Sequence, residues 1–242
     1  MIELTLEDYC KKLRLSHIIS NIPKASFETP EHFITELFRL ELETRQQIKL
    51  ERMENLAKFP VSKSLNNYEW HDDIFLPVHL EKDSLISLDF IQKQENVVCV
   101  GSPGTGKTHL AIALGRKACN EGISTKFFRV NHLVEQLEAA LKKQQLTSFK
   151  KKFESTQLII LDEMGYLPLT KEGAELLFQL ISDWYEQKSI IITSNLEFSQ
   201  WNRVFMDPRL TAALVDRLIH HAHIISFKGE SFRLKNSLSK SY

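Results

Sequence analysis

The octapeptide Gly101-Ser102-Pro103-Gly104-Thr105-Gly106-Lys107-Thr108 constrains this chain more than any other stretch. It fits the phosphate-loop pattern G-x-x-x-x-G-K-[ST] at every fixed position. Chemistry explains the spacing. Glycines let backbone N–H groups curl around a polyphosphate, Lys107 reaches the β- and γ-phosphates, and the Thr108 hydroxyl can ligate Mg²⁺. The apolar run Val97-Val98-Cys99-Val100 precedes the loop, and His109-Leu110-Ala111-Ile112-Ala113-Leu114 follows it. That is the strand–loop–helix setting the motif requires, so Gly101 through His109 is expected to bind a nucleoside triphosphate.

Apolar runs at 96–100, 125–130, 157–161, 189–193 and 223–227 alternate with segments of helical period. Such alternation predicts a parallel sheet covered on both faces. Gly122 is placed to end the helix that starts at the loop, Thr170 to cap another, and Asp207-Pro208 to open a third. Residues 1–66 contain no glycine and read as helical. Thr29-Pro30-Glu31 starts a helix that can run to about Lys58, with Pro60 as its stop. Phe33, Leu37, Leu40 and Ile48 mark its apolar side, and its charged later half is a solvated face or a docking module. The patterns predict a helical domain over 1–66, a connector over 67–82 and an α/β domain over 83–242.

No stretch approaches eighteen apolar residues in a row, so no membrane span is expected. Met1-Ile2-Glu3-Leu4-Thr5 lacks the layout of a signal peptide. Cys10, Cys99 and Cys119 are odd in number and unclustered, which suits reduced thiols in a cytoplasm. With 31 basic and 31 acidic residues, any surface for nucleic acid must be a local patch. The candidate patch is Lys142, Lys143, Lys150 and Lys151. It reads equally as a solvated face or as contacts to a phosphate backbone.

Leu158-Ile159-Ile160-Leu161-Asp162-Glu163 is an apolar strand ending in two carboxylates, at the ligand end of a parallel sheet. Asp162 suits an Mg²⁺ site. Alternation along the strand points Glu163 elsewhere, where it can activate a water; a small-metabolite kinase would need no such base. Asn195 ends the next strand, placed to orient water, to touch a γ-phosphate or to cap a turn. Spacing from Leu210 and Leu214 puts Arg217 on the apolar side of its helix, where its charge needs an anion. The anion is an internal carboxylate or the γ-phosphate of a neighbouring subunit. His220, His221 and His223 lack the partners for a tetrahedral metal set and read as helix-end histidines.

In this order the motifs resemble the IstB-like ATP-binding proteins, helper ATPases of insertion-sequence transposition related to DnaC-type helicase loaders in the AAA+ superfamily. The resemblance covers about Leu80 to Arg233. It rests on Gly104 through Ala111, Leu161-Asp162-Glu163-Met164-Gly165-Tyr166-Leu167-Pro168-Leu169 and Thr193-Ser194-Asn195. It rests also on Trp201, Phe205, Asp207, Asp216-Arg217-Leu218-Ile219-His220-His221 and Gly229-Glu230-Ser231-Phe232-Arg233. Phe232 stands where the family usually has tyrosine, and Tyr68-Glu69-Trp70 replaces a Phe-Asp-Phe-like connector. The resemblance implies an AAA+ parallel five-stranded sheet flanked by helices behind a small helical domain, with ATP and Mg²⁺ as cofactors. It implies that Lys107 and Thr108 hold phosphate and metal, Asp162 supports the metal and Glu163 is the base. Asn195 then matches sensor 1, Arg217 a finger acting in trans and Arg233 sensor 2. The partners implied are duplex DNA, a cognate transposase and further copies of the chain in an ATP-dependent homo-oligomer. A helicase loader with a replicative helicase as its target is the alternative.

Overall fold

The computed structural model describes residues 4–232. The chain divides into two compact units, Met1–Met53 and Glu54–Tyr242. In the first, Thr5 and Asp8 form a capping box at the start of α1 (Leu6–Lys12). Then come α2 (Ile18–Asn21) and the 28-residue α3 (Pro30–Ala57). The Thr29 hydroxyl accepts the His32 N–H at 3.1 Å, as the Thr-Pro-Glu signal predicts. Lys58 ends α3 in the left-handed region (φ 62°), two residues ahead of Pro60. Buried Glu41 accepts the His17 N–H and the Arg45 Nε, each at 2.7 Å, which compensates a charge removed from water. Phe33, Leu37 and Leu40 are half-buried, but Ile48 is exposed.

The division between the units falls inside α3, earlier than the expected boundary at 66. The reason is packing. Phe59, Leu65, Tyr68, Trp70, Ile74, Leu76 and Leu80 all join an apolar cluster of the second unit. The segment expected as helical tail and connector thus contributes to the core of the α/β unit.

That unit begins with β1 (Ile74–Phe75), α4 (Lys82–Ile86), α5 (Asp89–Gln92), β2 (Asn96–Gly101), α6 (Lys107–Asn120) and β3 (Thr125–Arg129). Next are α7 (Val130–Lys142), α8 (Leu146–Lys151), β4 (Leu158–Met164) and α9 (Lys171–Trp184). It closes with β5 (Ser189–Ser194), α10 (Asn202–Phe205), α11 (Pro208–Ile219) and β6 (Ala222–Phe227). The five expected strands are β2 to β6, and all their pairings are parallel. The sheet gains a sixth strand, because β1 pairs antiparallel with β6 at one edge. Its order is β1-β6-β2-β5-β4-β3.

Strands buried on both faces read as unbroken apolar runs, because successive side chains enter opposite layers. Val97, Cys99, Ile160, Ile191 and Ile225 pack with Phe90 and with Leu110 and Leu114 of α6. Val98, Ile159, Leu161, Ile190 and Ile192 pack instead with leucines of α7, α9 and α11. Burying each such side chain stabilises the fold by about 1.5–3 kcal/mol. All three cysteines are free and buried. Among the described residues no helix is long and apolar enough to cross a membrane.

Leu177 of α9 is fully buried in the second of these layers. Leu177→Ala is expected to cost about 2–5 kcal/mol in urea unfolding, through lost transfer energy and a residual cavity. Ile48→Ala on the exposed side of α3 should stay within about 0.5 kcal/mol. Comparable losses at both positions would contradict this placement of the core.

Candidate functional site

The phosphate loop leaves β2 at the carboxyl end of the parallel strands and enters α6. At Gly101 (φ 142°) a Cβ would stand 1.9 Å from the Phe227 carbonyl oxygen of the neighbouring strand, so only glycine lets the chain leave β2 there. Gly106 (φ 99°) takes the left-handed turn that starts α6, and its conformation aims the first N–H groups of the helix into the loop. Across the loop, the Thr105 hydroxyl donates to the Ser102 carbonyl at 2.9 Å. The buried Lys107 Nζ donates to the carbonyls of Gly101 and Ser102 at 2.7 and 2.6 Å. These bonds keep the ammonium over the loop.

Beneath the loop lies Asp162, only 2% exposed. Its Oδ1 accepts the Thr108 hydroxyl of α6 at 2.7 Å and the Thr193 hydroxyl of β5 at 2.6 Å. Thr193 Oγ1 in turn accepts the Glu163 N–H at 3.0 Å. That last bond sits at an irregularity where the register of β4 against β5 shifts between Leu161 and Met164. Glu163 there has φ 62°, in the left-handed region that costs a residue with a Cβ about 1–2 kcal/mol. The two carboxylates are indeed separated, but by a bulge rather than by the plain alternation of a strand. Glu163 is half-exposed and faces the loop's cavity, and Arg129 at the tip of β3 stands 3.7 Å from its carboxylate.

The cavity measures about 430 Å³, within the range of small-ligand sites. The loop, Glu163, Thr193 and Asn195 line it, together with Tyr68, His71, His109 and Phe232. Phe232 is fastened by its N–H to the Gly104 carbonyl at 3.0 Å and lies against the His71 ring, centroids 4.4 Å apart. His109 Nε2 is 3.2 Å from the Ser64 carbonyl, and burial lowers its pKa and favours the neutral ring. Burial pushes the Cys99 thiol in β2 up to about 12 despite the nearby Lys107, so it stays protonated.

The cavity therefore brings together Lys107, Thr108, Glu163 and Asn195, with Asp162 bonded to Thr108 from below. Arg217 lies apart from it. Its guanidinium rests 4.8 Å from the centre of the Phe178 ring and donates to the Ala213 carbonyl at 3.3 Å. No carboxylate pairs with it among the described residues, so the internal ion pair is not formed. Arg233 lies outside the described residues. The lysine run is split, because α7 ends at Lys142 and Gln144 turns left-handed (φ 56°) before α8. Lys142, Lys143 and Lys151 are exposed, whereas Lys150 is tied to Asp183 at 2.6 Å. Sequence reasoning assigned no role to Thr193 or Arg129. A hydroxyl and a cation at strand tips flanking β4 were the available signals.

A family model described as IstB-like ATP binding protein matches residues 8–240. A Bacillus thuringiensis subsp. berliner protein, named for ATP binding in insertion sequence IS232, is 35% identical over 96% of this chain and 94% of its own length. The corresponding Pseudomonas aeruginosa protein of insertion sequence IS21 is 34% identical over 95% of this chain and 89% of its own. Among solved structures, AMPPCP-bound DnaA from Aquifex aeolicus aligns with a TM-score of 0.57 at 21% identity, covering 76% of this chain and 56% of that one. The DnaC helicase loader aligns at 0.53 and 24% identity, covering 73% of this chain and 99% of that one. These two likenesses establish the AAA+ phosphate-loop fold.

Thr193→Val removes a donor from buried Asp162 and an acceptor from the Glu163 N–H. The expected loss is about 1–3 kcal/mol in denaturant unfolding, with Thr193→Ser retaining most of the stability. A valine variant as stable as the parent would show that the hydroxyl does not hold the bulge.

Proposed function

The chain belongs to the IstB-like ATP binding protein family, and we propose that it hydrolyses ATP while assembled as a homo-oligomer on duplex DNA, where it helps a transposase select and activate its target. The observation that carries the ATPase reading is the division of labour between adjacent carboxylates. Asp162 is buried and shared by two hydroxyls, while Glu163 is turned by the bulge into the cavity beside the phosphate loop. A protein that only held nucleotide would have no use for the second group.

In this reading the loop N–H groups and Lys107 bind the β- and γ-phosphates, and the lysine exchanges its carbonyl partners for phosphate oxygens. The Thr108 hydroxyl and the Asp162 carboxylate, 2.7 Å apart, form a set of oxygen donors that fits a hard divalent cation. Mg²⁺ bound there would neutralise charge on the β- and γ-phosphates. Glu163 accepts a proton from the attacking water, and Asn195 at the tip of β5 holds that water or a γ-phosphate oxygen in line. Arg129 orients the Glu163 carboxylate through their exposed ion pair, itself worth at most about 1 kcal/mol. Arg217, with no carboxylate paired to it among the described residues, offers its guanidinium to the γ-phosphate of a neighbouring subunit. Arg233 is assigned to the nucleotide by resemblance.

DNA and the transposase enter through the relatives, which are named for insertion sequences. Lys142, Lys143 and Lys151 are the cations proposed to meet the DNA backbone; Lys150 is set aside because Asp183 already neutralises it.

Glu163→Gln is expected to abolish turnover while ATP-bound oligomers persist longer on duplex DNA, read as a longer dissociation time. Unchanged turnover or unchanged lifetime would remove Glu163 as the base. Arg217→Ala is expected to lower turnover about 10³-fold. Mixing it with Glu163→Gln protein should restore activity at interfaces that combine an intact base with an intact arginine. Failure to recover would argue against action in trans.

A further inference from the structure

Among the described residues, one group of three metal-ligating side chains comes together, and none of them lines the phosphate-loop cavity: Glu186, His220 and His221. Along the chain the two histidines have no carboxylate at ligand spacing. Folding supplies one, because α9 and α11 pack against each other and their last turns meet. Tyr185 and Glu186 follow Trp184, the end of α9, while His220 and His221 follow Ile219, the end of α11. Glu186 takes the left-handed region there (φ 55°).

The ligand atoms offered by the three residues all lie within 4.8 Å of one another. His221 Nε2 stands 3.6 Å from Glu186 Oε1, and the two imidazole rings meet with centroids 4.1 Å apart. Zn²⁺ holds nitrogen and oxygen at about 2.0–2.2 Å in a tetrahedral array, which sets neighbouring ligand atoms about 3.4 Å apart. All three side chains are exposed, so small rotations about their χ angles close the remaining gap. The Tyr185 hydroxyl lies 2.9 Å from His220 Nδ1. With that hydroxyl accepting the Nδ1 proton, Nε2 keeps its lone pair for a metal, as in the outer shell of a ligating histidine. The partial negative charge at the C-termini of α9 and α11 favours a cation at the same place. Two imidazoles and one carboxylate suit a borderline transition cation, whereas Mg²⁺ and Ca²⁺ prefer oxygen alone.

We propose that Glu186, His220 and His221 form a Zn²⁺ site on the surface of the α/β unit, with Tyr185 as the positioning residue for His220. Three protein ligands leave the fourth position to water or to a donor from outside the chain. The cation clamps the turn after α9 to the turn after α11, about one helical turn beyond Arg217. The site needs no nucleotide and stands whether or not the chain hydrolyses ATP.

The test is calorimetric titration of the nucleotide-free full chain with ZnCl₂, in excess MgCl₂ so that oxygen sites such as Thr108 and Asp162 are already taken. The three cysteines are buried and do not compete in the folded protein. One equivalent of Zn²⁺ should bind. Tyr185→Phe should weaken it about 10-fold, since only the outer-shell bond is lost. His220→Ala, His221→Ala and Glu186→Gln should each weaken it further, with unfolding midpoints in the absence of Zn²⁺ matching the parent's. His79→Ala, in a separate histidine pair with His223, should titrate like the parent. A parent that takes up no Zn²⁺, or ligand variants that bind as the parent does, would mean an adventitious ion only and overturn the site. Loss in both histidine variants with Glu186→Gln unchanged would overturn the three-ligand assignment. Parental affinity in Tyr185→Phe would overturn the positioning role.

Discussion

One carboxylate oxygen ties the site together. Asp162 Oδ1 accepts hydroxyl protons from Thr108 and Thr193, so a single buried atom joins β4 to the first turn of α6 and to the end of β5. A carboxylate at this depth is costly unless its lone pairs are used. Supplying those partners requires helix and strands to approach one another at one place only. The loop above inherits its shape from that approach, and Lys107 is drawn across it by the Gly101 and Ser102 carbonyls. A polyphosphate entering such a loop meets N–H groups and an ammonium already in position, which limits the ordering that binding would otherwise require.

The same constraint shapes Glu163. A strand continuing regularly past Asp162 would keep Glu163 within its pleat, beside β3 and β5. The bulge, held by the Thr193 hydroxyl on the Glu163 N–H, turns the side chain out toward the cavity instead. Thr193 thus serves both carboxylates, as donor to one and as acceptor for the backbone of the other. Left-handed backbone at a residue other than glycine costs energy, and it persists where surrounding bonds over-determine it.

Much of this was legible in the sequence because two-faced burial writes unbroken apolar runs, which β2, β4 and β5 carry in full and β3 and β6 only as the pairs Phe127-Phe128 and Ile224-Ile225. β1 was not legible. Ile74 and Phe75 pair only with β6, and two residues make no pattern. The unit boundary was misplaced for a related reason: Phe59, Leu65, Tyr68 and Trp70 reach the core one at a time, without a period to announce it. Arg129 was hidden because its neighbour is set by the pairing of β3 with β4, which places it level with Asp162, and pairing leaves no local trace. Spacing from Leu210 and Leu214 marks the side of the helix on which Arg217 lies but carries no sign of its partner, the Phe178 ring. The lysines read as one run in the sequence, whereas a left-handed turn at Gln144 divides them between α7 and α8 and Asp183 pairs with one of them, Lys150.

Among the described residues the Arg217 guanidinium rests on a ring face and a backbone carbonyl, with no carboxylate paired to it. Had Arg217 been paired with a buried carboxylate, a phosphate could claim it only by breaking that pair, at a cost of about 3–5 kcal/mol. Its contacts with Phe178 and Ala213 need no such exchange, because a cation can stay over the ring while its outer nitrogens turn to an anion. The cavity has the complementary need. Its described lining includes lysine, hydroxyls and carboxylates but no arginine, while phosphoryl transfer gathers charge on the γ-phosphate oxygens. On the proposed reading, each copy of the chain holds a nucleotide to which the described lining brings no arginine, together with an Arg217 that lies apart from that cavity. Bringing the one to the other requires two copies in contact, and ATP is then part of the contact between them.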